Sequence, residues 1–203
     1  VGLAHPLLGP VEQLLDLLCF DESVVATRKL VQRLDRGEFD QDGHYKWQVL
    51  LCLGRAQLYC GEHEEAIATF DRLLEQAQVA NHSAHLCMAY RELAMAHIFR
   101  SDLTTAVRYS QLAVKLGSAQ EDELLQTQAL FCHFVACDKA NIPFGLGRLR
   151  QLLQLLDSHQ MVSGRIYVLR NIFAQVPFEE QLDHDSALDC SIEAIRLAHH
   201  YAY

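Results

Sequence analysis

The chain has 203 residues, half of them apolar and 21% charged, and 26 acidic against 17 basic side chains leave a formal net charge of −9. That is enough apolar mass for a sizeable core, while an acidic surface repels phosphate backbones and argues against a nucleic-acid partner. The apolar stretch Leu149–Leu156 is interrupted by Arg150, Gln151 and Gln154, so no segment reads as membrane-spanning.

With only four prolines and ten glycines against many Leu, Ala, Gln and Glu residues, the chain reads as helical throughout. Taken in order, Pro10–Phe20 and Glu22–Arg36 are predicted to form a first hairpin, closed by Gly37. Gly43–Cys60 pairs with Glu62–Ala80, and His82–Arg100 with Leu103–Gly117. Glu121–Ala140 pairs with Phe144–His159, and Val162–Val176 with Asp185–His200. Pro143 and Pro177 fall at or near helix ends, where a missing N–H is tolerated.

The elements repeat. A helix, a turn and a second helix opening on acidic residues, which suit the positive end of the helix dipole, run through Leu53-Gly54, Gly61 and Ala66. The pattern returns 40 residues later at Leu93-Ala94 and Ala106. Stepping by 40 or 41 in both directions gives the ladder Ala26, Ala66, Ala106, Gly147 and Ala187. Small residues at that place are expected where the two helices of a hairpin cross closely.

Leu53-Gly54, Gly61, Ala66, Phe70 and Leu74 resemble the tetratricopeptide repeat (TPR) signature, and Leu93-Ala94, Ala106, Ala113 and Val114 carry it into the next repeat. The resemblance is strongest over 47–80, good over 87–120 and weak over 126–159 and 161–200. The 40-residue step departs from the usual 34 and is similar to a long-helix subtype. That subtype occurs in bacterial peptide-sensing regulators, in sensor halves of GGDEF-type signalling proteins and in eukaryotic polarity adaptors. The resemblance implies an all-α, right-handed α-solenoid of about five hairpins, a single domain over 1–203. The opening Val1-Gly2, without an initiator Met or a basic–apolar leader, predicts a fragment of a larger protein.

In TPR arrays the first helix of each hairpin lines a concave groove, and helical phase then selects the groove residues. They are Gln48, Leu51, Cys52, Arg55, Leu58 and Tyr59 in one repeat and Met88, Arg91, Glu92, Met95, Ile98 and Phe99 in the next. The third contributes Phe131, Cys132, Val135, Asp138 and Lys139. Within this set, Gln48, Leu51, Arg55, Tyr59, Met88, Arg91, Met95, Phe99, Phe131 and Val135 are the expected peptide-groove residues. Aromatic and Met side chains with two arginines suit an amphipathic helix or extended peptide bearing an acidic contact. The same residues also fit a core phase one helical step away. The Lys/Asn/Arg clamp with which one TPR subclass grips chaperone C-termini is not reproduced, since Arg55, Glu92 and Asp138 stand in the candidate places.

No catalytic constellation emerges. His133 and Cys137 lie four apart beside Asp138, which is two ligands where structural zinc wants four. The eleven histidines are dispersed, which argues against a pH switch. Phe144-Gly145-Leu146-Gly147 contains GxG without a preceding strand. Glu62, Glu64 and Glu65 sit at a helix start. Seven scattered cysteines without a CxxC pair read as small buried hydrophobes in a reducing cytoplasm. The expectation is therefore a non-enzymatic protein- or peptide-binding module with no cofactor and no metal, acting as the sensory or regulatory domain of a larger bacterial signalling protein. The alternative is a homo-oligomerisation or scaffold domain that dimerises through its terminal hairpins, where Ala198–Tyr203 offers aromatic groups.

Overall fold

The computed structural model describes residues 20–37, 44–175, 192–197 and 200. The helices are α1 (Phe20–Asp35), α2 (His44–Tyr59), α3 (His63–Val79), α4 (Ser83–Phe99), α5 (Leu103–Gly117), α6 (Glu123–Lys139), α7 (Leu146–Ser158) and α8 (Val162–Gln175). Residues 192–197 are also helical, and no strand occurs among the described residues. From α2 onward these bounds agree with the expected ones to within two residues. The expected helix before Phe20, the crossing residue Ala187, and the aromatic end apart from His200 lie outside the described residues.

Five of the turns share one device. Gly61, Asn81, Ser101, Asn141 and Gln160 all adopt positive φ, between 50° and 80°. In each case the next residue's N–H reaches back into the finished helix: Glu62 to the Gln57 carbonyl, His82 to Ala77, Asp102 to His97, Ile142 to Cys137 and Met161 to Leu156, at 2.8–3.1 Å. This is the Schellman closure, which satisfies carbonyls that a helix end leaves open. Among these, Gly61, Asn81 and Asn141 have residue types that favour a left-handed turn, whereas Ser101 and Gln160 do not.

The chain divides into two compact units, residues 1–102 and 103–203. In the first, α1 packs on α2, α2 on α3 and α3 on α4, and α2 also touches α4. Val49, Leu50, Leu53, Ala56, Ala66, Phe70, Leu73 and Leu93 are buried in its core. The tightest approach is at Gly54, where a Cβ would stand 2.3 Å from Cε1 of Phe70 and 2.7 Å from its Cζ. The Phe70 ring is fully buried and cannot swing out to solvent. Gly54→Ala should therefore cost about 1–3 kcal/mol by overpacking, although Ala is the better helix former. Urea melts of Gly54→Ala, Phe70→Leu and the double variant should show a favourable coupling of about 0.5–3 kcal/mol between the two sites.

In the second unit α5 packs on α6, α6 on α7, and α8 on both α6 and α7. Its core gathers Leu130, Phe134, Cys137, Phe144, Leu149, Leu152, Leu156 and Val168. Phe144 meets Phe134 edge-on at 5.3 Å between centroids.

The ladder of small residues needs correction at two of its rungs. Ala66 and Ala106 are fully buried, as a close crossing requires. Gly147, however, is exposed, and a Cβ there would meet nothing within 4 Å. The buried residue at the same depth of α7 is Leu149, 43 positions after Ala106. Likewise Ala26 is only half-buried, and Ser23, 43 positions before Ala66, is the fully buried one. The step alternates because the burial phase is set by where each helix begins; α7 begins after the extra Pro143-Phe144-Gly145 turn.

Candidate functional site

α2 and α4 are largely apolar on all sides because each is packed by helices on more than one side. What remains open on each is a narrow stripe. On α2 the stripe is Gln48, Leu51 and Arg55, all half-buried, ending in Tyr59, which is 54% exposed. On α4 it is Met88 and Met95, half-buried, ending in Phe99, which is 44% exposed. Spacings of three and four place each set on one helix face. Cys52 and Leu58, from the same expected set, turn into the core.

The two stripes run side by side, linked by three cross-helix pairs. Trp47 stacks on His85 with centroids 4.3 Å apart. Tyr59 meets Phe99 edge-on at 6.2 Å. Between these aromatic ends, Arg55 donates to Glu92 Oε1 through Nη2 at 2.6 Å and Nε at 3.3 Å. Arg91 donates to the same oxygen through Nη2 at 2.6 Å. Glu92 is 5% exposed. Burial alone would raise its carboxyl, but the Arg91 and Arg55 guanidiniums outweigh that and hold it at about 2. Two guanidiniums share one carboxylate. The Arg55 side chain is 38% exposed and presents its guanidinium to the face, whereas Arg91 is largely buried.

The remaining expected groove residues, Phe131 and Val135, belong to α6 in the second unit. Phe131 is half-buried and packs edge-on against Tyr167 at 6.0 Å, while Val135 is buried. Tyr167 also donates its hydroxyl to Asp138 at 2.7 Å, and burial followed by that bond raises the phenol well above its ordinary range.

The His133–Cys137 pair is a packing feature. Ser110 Oγ donates to the Val107 carbonyl at 2.8 Å and so accepts from His133 Nδ1 at 2.9 Å, which places the ring proton on Nδ1. Cys137 Sγ lies 3.7 Å from Nε2. Asp138 is engaged by Tyr167, and no group of three or more His, Cys, Asp or Glu side chains able to hold a metal occurs among the described residues. Of the described cysteines, Cys52, Cys87, Cys132 and Cys137 are buried and Cys60 is half-buried.

Burial, and then the Arg148 charge, push His133 down to about 4. In the unfolded chain it titrates near 6.5. Below that pH the unfolded chain takes up a proton that the folded ring refuses, so the stabilisation is complete above about 6.5 and drains away as pH falls to 4. The full swing is about 3 kcal/mol. His97, lowered by burial and then Arg100, adds a change of the same sign. Urea midpoints of wild type should fall between pH 7.5 and 4.5, and those of His133→Asn should fall less.

No protein-family model matches the chain, and no curated relative does. Solved structures do match, among them two of nearly identical TPR-like repeats from a protein described as a kinesin light chain of Podosopora anserina. Their TM-scores are 0.65 and 0.66 at 13% sequence identity, covering 95% of this chain and 92% and 97% of theirs. The fold is TPR-like. No described helix is long and apolar enough to cross a membrane.

Proposed function

We propose that the α2–α4 face is a peptide-binding groove that takes an amphipathic segment with an acidic residue at its centre. The observation that carries this reading is the Arg55–Glu92–Arg91 centre, where the part-exposed Arg55 guanidinium stands between apolar ends in a chain of net charge −9. Tyr59 and Phe99 offer ring faces that other described side chains cover only in part, and Leu51 and Met95 extend the apolar track. Aromatic and Arg side chains are the groups that carry most binding energy at such surfaces, and Met adapts its shape to varied partners. On this reading the module serves as the sensory or regulatory part of a larger signalling protein, as the long-helix TPR resemblance suggests.

A peptide-display selection against the whole chain tests the groove. It should enrich sequences with apolar residues three or four apart around an Asp or Glu. Arg55→Gln/Phe99→Asp should bind the enriched peptides at least tenfold more weakly, which is about 1.4 kcal/mol or more. Equal binding by wild type and the double variant would overturn the assignment.

A further inference from the structure

We propose that the second unit binds a small organic anion in the cavity between α5, α6 and α7, with Lys115 and Arg148 receiving its charged group. The cavity measures about 420 Å³, within the range of roughly 300–1,000 Å³ usual for small-molecule sites. It is separate from the α6 face that carries Phe131 and Val135, because Gln126, Leu130 and His133 line it from a different helical phase.

Its chemistry is selective in sign. Lys115 and Arg148 line it and no described Asp or Glu does, although the chain carries 26 acidic side chains. Lys115 and Arg148 form no ion pair with any described residue, and both line the same space. A guanidinium and an ammonium together suit a carboxylate or phosphate oxygen pair, the first through its planar fork and the second as a point charge.

The rest of the lining says what should be attached to that charge. Val114, Leu130 and Leu155 give an apolar wall, and Gln111, Gln126 and Gln151 give amides that donate or accept. A short apolar or partly polar body behind one anionic head fits this lining. A bare inorganic ion would leave the apolar wall unused, and a neutral molecule would leave both cations unanswered. His133 at the wall is held neutral and committed to Ser110, so it adds no charge of its own near pH 7.

The test uses the whole chain with three probes: hexanoate, 1-hexanol and inorganic phosphate. In calorimetric titrations hexanoate should bind, and it should raise the melting temperature through selective binding to the folded state. At equal concentration 1-hexanol should do neither. Lys115→Gln/Arg148→Gln, which changes two exposed side chains, should lose at least tenfold in hexanoate affinity. Gln151→Glu, which supplies the missing carboxylate inside the cavity, should do the same by a different route. Phosphate that binds wild type and is lost in both variants supports the site. Equal hexanoate affinity in wild type and both variants, or equal effects of hexanoate and 1-hexanol, overturns it. So does the absence of any heat with hexanoate and phosphate up to about 20 mM, which corresponds to binding weaker than about 2–3 kcal/mol.

Discussion

Glu92→Ala should destabilise the first unit by about 3–5 kcal/mol, because it breaks a buried ion pair by removing the carboxylate that two guanidiniums share. Arg91 is the sensitive partner, since it is 9% exposed while Arg55 keeps access to water. Arg55→Met should accordingly cost less than Glu92→Ala, which thermal melts of the two variants would reveal as an ordered pair of shifts. An acid titration gives a second view of the same cluster. The Glu92 carboxyl stands at about 2 when folded and near 4.3 when unfolded. Its contribution is present above the unfolded value and is lost as pH falls from about 4.3 to about 2. In Glu92→Gln that limb of the stability curve should flatten. An unchanged acid limb would mean that the carboxylate is not the group that holds α2 against α4.

Leu149→Ala should cost about 2–5 kcal/mol, the usual range for emptying a fully enclosed leucine site. Leu149 is completely buried beside Leu152 and Leu156 in the second core. Gly147→Ala, two residues earlier on the same helix, should be neutral or stabilising by up to about 1 kcal/mol, because a Cβ there meets open space and Ala favours helix. The two substitutions together decide the register of α7. Were Gly147 the crossing residue of the repeat, the order of the two effects would be reversed in urea denaturation.

Helix identity and extent were legible in the sequence. Glu62–Ala80 was expected and His63–Val79 is found; Leu103–Gly117 is found as expected. α3, α5 and α7 keep one polar face, so their apolar residues recur with the helical period and their burial phase could be read. Gly54 and Phe70, two of the residues that carry the TPR resemblance, turn out to be one contact. The glycine is there because the ring occupies the place its Cβ would take.

The candidate site was legible only in outline. α2, α4 and α6 are apolar nearly all the way round, as the unbroken buried run Cys132–Cys137 shows, so periodicity cannot say which thin stripe stays open. Arg55 and Arg91 looked alike as cations. The structure exposes one, sinks the other, and joins both to Glu92, which reads in sequence as one more groove residue. The cavity at Lys115 and Arg148 had no sequence signal, because its cations are 33 positions apart and converge only when α5, α6 and α7 pack.

What the sequence determined by itself is therefore local: helix after helix, their lengths, and the repeat that pairs them, all set by propensity and apolar period within a dozen residues. What only the tertiary structure decided is which side chains face water, which charges cancel and where the left-handed turns fall. Asn81, Ser101, Asn141 and Gln160 take positive φ without a glycine, and the closing hydrogen bonds back into the finished helix offset the backbone strain.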